Sequence, residues 1–229
     1  MQKHFTAVLL IVSLLLPLIA AAPSVHALRC KTYTLTSTEI NNAYNNTANQ
    51  YPKKIALDEE LAEQPEWTLT IDYDVLQFTE NQSTCYFAFM IDNETDTTGA
   101  ETDNAEMRMI IYSDEIHFYV TNETNYQQWM PAWTSWTMPI TIKAYNENGH
   151  YYLNVTDSGS NEFKTDPIMT LYPAYLHYKI KNTTVSSETE ITFEFCYGAT
   201  TSEIINAWIP VIVTFAMLGT ALSFIKKVT

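Results

Sequence analysis

The chain is poor in positive charge, in glycine and in cysteine. Only 12 of its 229 residues are Lys or Arg, against 26 Asp and Glu. Three of those cations, Lys3, Lys226 and Lys227, lie at the ends, so the segment 28–203 keeps nine against all 26 acids, a formal charge of −17. A surface of that sign repels phosphate backbones and anionic lipid heads, which argues against nucleic acid as a partner. Solvated faces, or the holding of cations, account for the acids. With five glycines there is no phosphate-binding loop. No zinc-ligand spacing, no Ser/His/Asp order, no repeat and no low-complexity tract is visible, and no cofactor is expected.

Charge is also missing from two long stretches. From Ile204 to Ile225 the chain runs 22 residues without an ionisable group and then meets Lys226-Lys227-Val228-Thr229. At about 1.5 Å per helical residue that is enough to cross a hydrocarbon layer of roughly 30 Å. The two lysines favour the cytoplasmic side. At the other end, Lys3 and His4 precede an apolar run, Phe5 to Ala22, and Val25-His26-Ala27 offers a small-x-Ala site. This is the pattern of a secretory signal cleaved after Ala27, with an uncleaved signal anchor as the alternative. A lipoprotein is disfavoured by Leu28-Arg29 before Cys30, and a C-terminal lipid anchor by the terminal lysines. The expected organisation is a signal peptide at 1–27, an extracytoplasmic domain at 28–203, a transmembrane helix at 204–225 and a cytoplasmic tail at 226–229. The protein is then a single-pass type I protein of the plasma membrane, at the cell surface. Gly219 and Ser223, four apart in the span, offer a small-residue contact for self-association.

Six Asn-x-Ser/Thr sequons, at Asn45, Asn81, Asn93, Asn122, Asn154 and Asn182, fit a glycoprotein surface. Outside the cytoplasm one pair of the three cysteines should be oxidised. In 190–197 the apolar residues Ile191, Phe193, Phe195 and Tyr197 share one strand face, with Cys196 on the other. Cys30 shares its face with Thr32 and Thr34. If the first and last strands pair antiparallel, Cys30 and Cys196 become outward neighbours, and this pairing is preferred. Cys85–Cys196 and an intermolecular bond through the odd cysteine stay open. Cys85, in phase with Phe87, Phe89 and Ile91, reads as a buried thiol.

Between the ends, period-two alternation dominates. Trp67, Leu69, Ile71, Tyr73 and Val75 alternate with Thr68, Thr70, Asp72 and Asp74, as on a strand with one buried face. Thr84 to Ile91 is a continuous apolar run, suited to a central strand. Met107, Met109 and Ile111 turn at Ser113-Asp114-Glu115 into Ile116, Phe118 and Val120. Ile140, Ile142 and Ala144 turn at Asn148-Gly149 into Tyr151, Leu153 and Val155, a hairpin signal because both turn residues tolerate positive φ. Leu176, Tyr178 and Ile180 give another strand, and Ile191 to Tyr197 the last. Helix signals are thin, at Thr38–Asn49 after a Ser37/Thr38 cap and at Ile55–Gln64. Many short strands in one domain of this length predict an all-β, antiparallel two-sheet sandwich of jelly-roll type.

The order WTLTIDYDV, CYFAFMID, an acidic loop, MRMIIYSDEIHFYV and SWTMPITIKAYNENGHYYLNVTD resembles the concanavalin A-like lectin/glucanase superfamily, of the laminin G-like kind, over Trp67 to Asp157. The resemblance implies that the terminal strands lie side by side, in agreement with the cysteine phase. Glu101-Thr102-Asp103-Asn104-Ala105-Glu106 has the E-x-D-x-x-E spacing of the laminarinase-like glycosidases of that superfamily, which implies Glu101 and Glu106 as nucleophile and acid/base. The motif here sits in a polar loop after Thr97-Thr98-Gly99-Ala100, with no aromatic before it, so catalysis is not the expected activity. The same loop offers Asp92, Asp96 and Asp103 as calcium ligands, at a spacing that fits no defined calcium loop.

Trp129, Trp133 and Trp136 fall close together, and exposed Trp rings stack on sugar faces or anchor protein contacts. Trp136, just before a strand, reads as core; Trp129 and Trp133 are the candidate contacts. His117, Tyr119, Tyr145 and Tyr152 lie in the outward phase of two hairpins and could form one aromatic face, partly covered by a glycan at Asn154. The expected ligand site is therefore a loop edge around Trp129, Trp133, Tyr119 and Tyr152. The expectation is a non-enzymatic, membrane-anchored module binding carbohydrate or a surface protein. The alternatives are a structural component of the cell envelope, or a glycoside hydrolase.

Overall fold

A computed structural model describes residues 28–47, 50–80, 82–93, 105–124 and 127–198, together with 208–209 and 213–214. The expected signal sequence, most of the expected span with Gly219 and Ser223, the tail, Asn81, Asp96, Glu101 and Asp103 lie outside the described residues. Among the described residues no helix is long and apolar enough to cross a membrane.

Residues 29–197 form one compact unit. Its elements are β1 (Arg29–Thr36), α1 (Ser37–Asn41), β2 (Lys53–Ala56), α2 (Glu59–Ala62), β3 (Trp67–Asp72), β4 (Tyr86–Asp92), β5 (Glu106–Ile111), β6 (Ile116–Thr121), β7 (Gln127–Trp129), β8 (Ile140–Glu147), β9 (His150–Asp157), β10 (Glu162–Lys164), β11 (Tyr175–Lys181) and β12 (Glu190–Tyr197). Two six-stranded sheets result, ordered β1-β12-β3-β8-β9-β10 and β2-β11-β4-β5-β6-β7. Every pairing is antiparallel. This is the all-β sandwich that the alternation and the lectin-like resemblance led us to expect.

Alternate residues of each strand face the other sheet, as the pleat requires. Leu69, Ile71, Ile142, Leu153, Phe193 and Phe195 of the first sheet meet Phe87, Phe89, Met107, Met109, Phe118 and Ile180 of the second in one core. Asn148 and Gly149 close the β8–β9 hairpin at φ 56° and 86°. The helix signals shrink to single turns. Thr36, not Ser37 or Thr38, caps α1 and forms a reciprocal capping box with Glu39. The stretch expected as Ile55–Gln64 divides into the end of β2 and an Asp58-capped α2. β2, β7 and β10 were not expected, since three or four residues are too few to show a period.

β1 and β12 pair over eight positions, with Cys30 opposite Cys196. The two form a disulfide with Cα atoms 4.1 Å apart. Cys85 is a buried thiol, its Sγ 3.3 Å from the carbonyl oxygen of Asn182. Beside the disulfide, β1 is pinned to the start of α2. Arg29 pairs with Glu60, Lys31 reaches Asp58 at 2.7 Å, and the Asp58 amide donates to the Tyr33 hydroxyl at 2.9 Å.

The disulfide spans 166 residues, a loop for which the chain-entropy account gives about 5 kcal/mol. Cys30→Ser/Cys196→Ser should therefore lose about 2–5 kcal/mol in urea unfolding, and reductant should destabilise the wild type equally but leave the variant unchanged. Equal urea midpoints for variant and oxidised wild type would remove the disulfide from any role in stability.

Candidate functional site on the outer face of the second sheet

The second sheet turns its other face away from the core, and the registers place one row of side chains across all six of its strands. Lys54 stands opposite His177, His177 opposite Met90, Met90 opposite Arg108, Arg108 opposite Tyr119 and Tyr119 opposite Trp129. Neighbouring strands lie about 4.8 Å apart, so the row is about 24 Å long. It changes character along its length. The β11–β4–β5 part is charged and buried, whereas the β6–β7 part is aromatic and opens to solvent.

The cover is local chain. The Asn45 amide donates to the Ile180 carbonyl at 2.9 Å and the Ile180 amide to the Ala43 carbonyl at 3.1 Å. Lys179 Nζ donates to the Thr47 carbonyl at 3.0 Å. Tyr51 then packs on Tyr86, Ala88 and Met90, all buried, with Ile110 and Tyr112 at the margin. Lys179 Nζ lies 5.0 Å from the centre of the Tyr51 ring and 5.3 Å from that of Tyr86.

Buried charge gathers beneath and beside this cover. Asp92, Glu106, Arg108, His177 and Lys179 are all buried on this one face. Such charges cost several kcal/mol each unless partnered, and partners are present. His177 Nε2 lies 3.1 Å from Asp92 Oδ1, and Arg108 is ion-paired to Glu106. Asp92 and Glu106 stand directly opposite each other. Asp92, the described member of the expected calcium set, is buried with its Oδ1 on His177. Burial, and then the like charges of Lys181 and Arg108, push the Lys179 ammonium down to about 8. Burial raises the Tyr51, Tyr112 and Tyr119 hydroxyls and takes Tyr86 up to about 12.

From the buried Tyr86 toward the open strands, aromatic rings form a continuous strip. Ring centres are 5.3 Å apart for Tyr86 and Tyr112, 5.2 Å for Tyr112 and His117, 6.2 Å for His117 and Trp129, and 3.6 Å for Tyr119 and Trp129. Trp129 is 60% exposed, the most exposed large apolar residue among those described.

The structure brings Trp129 and Tyr119 together but separates the other two sequence candidates. Trp133 is in the core: it exchanges backbone hydrogen bonds with Ile116 at 2.8 and 2.9 Å, which turns its ring onto Phe118 and Phe163. Tyr152 belongs to the outer face of the first sheet, where it stacks on Tyr145 at 5.9 Å with Lys164 Nζ 4.0 Å above it. His117, Tyr119, Tyr145 and Tyr152 therefore cannot form one face, because their two hairpins lie in different sheets. Trp136 is half-buried and donates to the Tyr73 hydroxyl at 3.0 Å. Of the carboxylates expected from the glycosidase spacing, Glu106 is the one among the described residues. Sequence reasoning missed Tyr51, Arg108, His177 and Lys179. The signal for Arg108 was a cation between Met107 and Met109, with Glu106 the one other charge in a strand of apolar residues.

Five sequons are described. Asn45 and Asn122 accept the amide of the Thr two residues on, at 2.7 and 3.0 Å. Asn154 lies on β9 of the first sheet, Asn182 follows β11 at φ 55°, and Asn93 follows β4. None stands in the row from Lys54 to Trp129.

No family model matches the chain, and no curated protein matches it. Solved structures are similar to it only distantly. A GH43 BlXynB protein from Bacillus licheniformis aligns at 9% identity and TM-score 0.35, over 60% of this chain and 28% of that one. The receptor-binding domain of botulinum neurotoxin type G aligns at 9% and 0.41, over 77% and 43%. A functionally unknown protein from Saccharomyces cerevisiae aligns at 8% and 0.28, over 64% and 70%. The chain thus spans less than half the length of the first two. Scores of this size carry no argument about ligand or reaction.

The Lys179 shift has a signed consequence. Between about pH 8 and 10 the unfolded lysine keeps a proton that the folded one has released, so stability rises with pH across that window and is lost as pH falls through it. Lys179→Met should abolish this rise, whose slope is at most about 1.4 kcal/mol per pH unit. Urea midpoints at pH 7.5, 8.5 and 9.5 measure it, and a wild-type midpoint that is flat or falls would contradict the assignment. Above pH 10 the raised tyrosines add their own dependence, so the window closes there.

Proposed function

We propose that the chain is a non-catalytic binding module, held at the cell surface by its C-terminal apolar segment, that takes carbohydrate on the open half of the second sheet's outer face. The observation that carries this reading is Trp129, 60% exposed and braced on Tyr119. An indole fixed against a second ring is a rigid flat platform, and a sugar ring stacks on it with little ordering cost. The half-buried Tyr112 and His117 continue the aromatic strip from Trp129 along the sheet. None of the described sequons stands in the row itself, which supports the reading. Signal, span and N-glycosylation belong to the same proposal and rest on sequence patterns alone. A non-catalytic role is favoured because Glu106 is ion-paired to Arg108 and buried, not poised at an open cleft.

Trp129→Ala in the full-length protein should cost about 2 kcal/mol of binding, roughly 30-fold, on a glycan array, with the melting temperature preserved. Tyr152→Ala, on the opposite face, should leave binding intact. Retention of glycan binding by Trp129→Ala would exclude this face as the site.

A further inference from the structure

Cations collect on this face. Of nine Lys and Arg residues in 28–203, Lys54, Arg108, Lys179 and Lys181 stand on it, in a domain of formal charge −17. Arg108, on β5, is the one nearest the aromatic strands β6 and β7. Tyr119 stands directly opposite it in the sheet, and the Tyr51, Tyr86 and Tyr119 hydroxyls and Lys179 are near enough to feel its charge. Arg108 is 7% exposed. One of its Nη atoms is taken by Glu106, whereas its buried Nε has no hydrogen-bond partner among the described residues. An unsatisfied buried donor costs about 1–3 kcal/mol, so a partner for it is expected. Tyr119, half-buried, links this donor to the exposed Trp129 one strand further on.

We infer that the site is built for an acidic sugar, with the sugar ring on Trp129 and Tyr119 and its carboxylate or sulfate oxygen accepting from Arg108 Nε among the surrounding tyrosine hydroxyls. This rests on the proposed role of the aromatic strip and adds the ligand's charge to it. The tyrosines suit the task as neutral donors, because burial keeps their hydroxyls protonated. The repulsion of Lys179 by Lys181 and Arg108 is relieved when an anion arrives. Tyr51 and the segment carrying Thr47 close the row beyond Arg108, so the acidic residue lies at the end of the bound chain.

The test uses full-length protein in detergent micelles and oligosaccharides that differ only in one terminal residue: glucose, glucuronic acid or glucose 6-sulfate. Calorimetry should show at least one acidic form binding tenfold or more tightly than the neutral one. The preferred form identifies carboxylate or sulfate as the group. Arg108→Gln should bring the acidic ligand down to the neutral level without changing the neutral one, and Arg108→Lys should recover part of the difference. Trp129→Ala should weaken all three. Equal affinity of the three ligands for the wild type overturns the inference but leaves the aromatic platform standing if Trp129→Ala still weakens them. Proportionate loss of neutral and acidic binding in Arg108→Gln also overturns it. Absence of binding by every ligand overturns both readings. If Arg108→Gln fails to fold, the wild-type ratio of acidic to neutral affinity still decides.

Discussion

The outer face of the second sheet is shut off from water over half its width, and the polar chemistry of the domain follows from that constraint. Charges in such a place must find partners inside the protein. Asp92 meets His177, Glu106 meets Arg108, and Lys179 reaches the Thr47 carbonyl. Each of these contacts fixes a strand or the covering segment, so cover and charge hold each other in place. At β6 and β7 the face opens again, and there the side chains turn from ionic to aromatic.

The two outer faces of the sandwich are unlike, although both consist of strand residues in the same phase. The first sheet shows water a mixture dominated by threonine, with Tyr145, Tyr152 and Lys164 packed on one another at one end. Its aromatic rings are already occupied by its own cation. On the second sheet, Trp129 has the Tyr119 ring tilted against it and is otherwise largely exposed. That difference in what lies over the ring, rather than the number of aromatics, separates a candidate contact from a self-satisfied surface.

The fold was legible because period-two alternation reports burial directly. Trp67 to Ile71, Met107 to Ile111 and Ile191 to Phe195 could be placed inward from their spacing, and that phase led to the Cys30–Cys196 pair. Trp129 was legible as a free aromatic. Trp133 was not, because its burial depends on a backbone bridge to Ile116 with no local pattern. The site's second half was hidden for a similar reason. Tyr51, His177 and Arg108 come from distant parts of the chain, and only the strand order β2-β11-β4-β5-β6-β7 brings them into one row. Tyr119 and Tyr152 looked equivalent in phase; phase gives the side of a strand, not the sheet to which the strand belongs.

The pairing of β1 with β12 has one more consequence, for wear. Because Cys30 and Cys196 are bonded at the two ends of the folded unit, peptide-bond hydrolysis at any loop between them converts the chain into two fragments that remain one covalent body. A protease that found such a loop would leave the fragments joined, and release of the part before the break would require reduction as well. Durability against enzymes in the surroundings is thereby decoupled from the integrity of any single connection between strands.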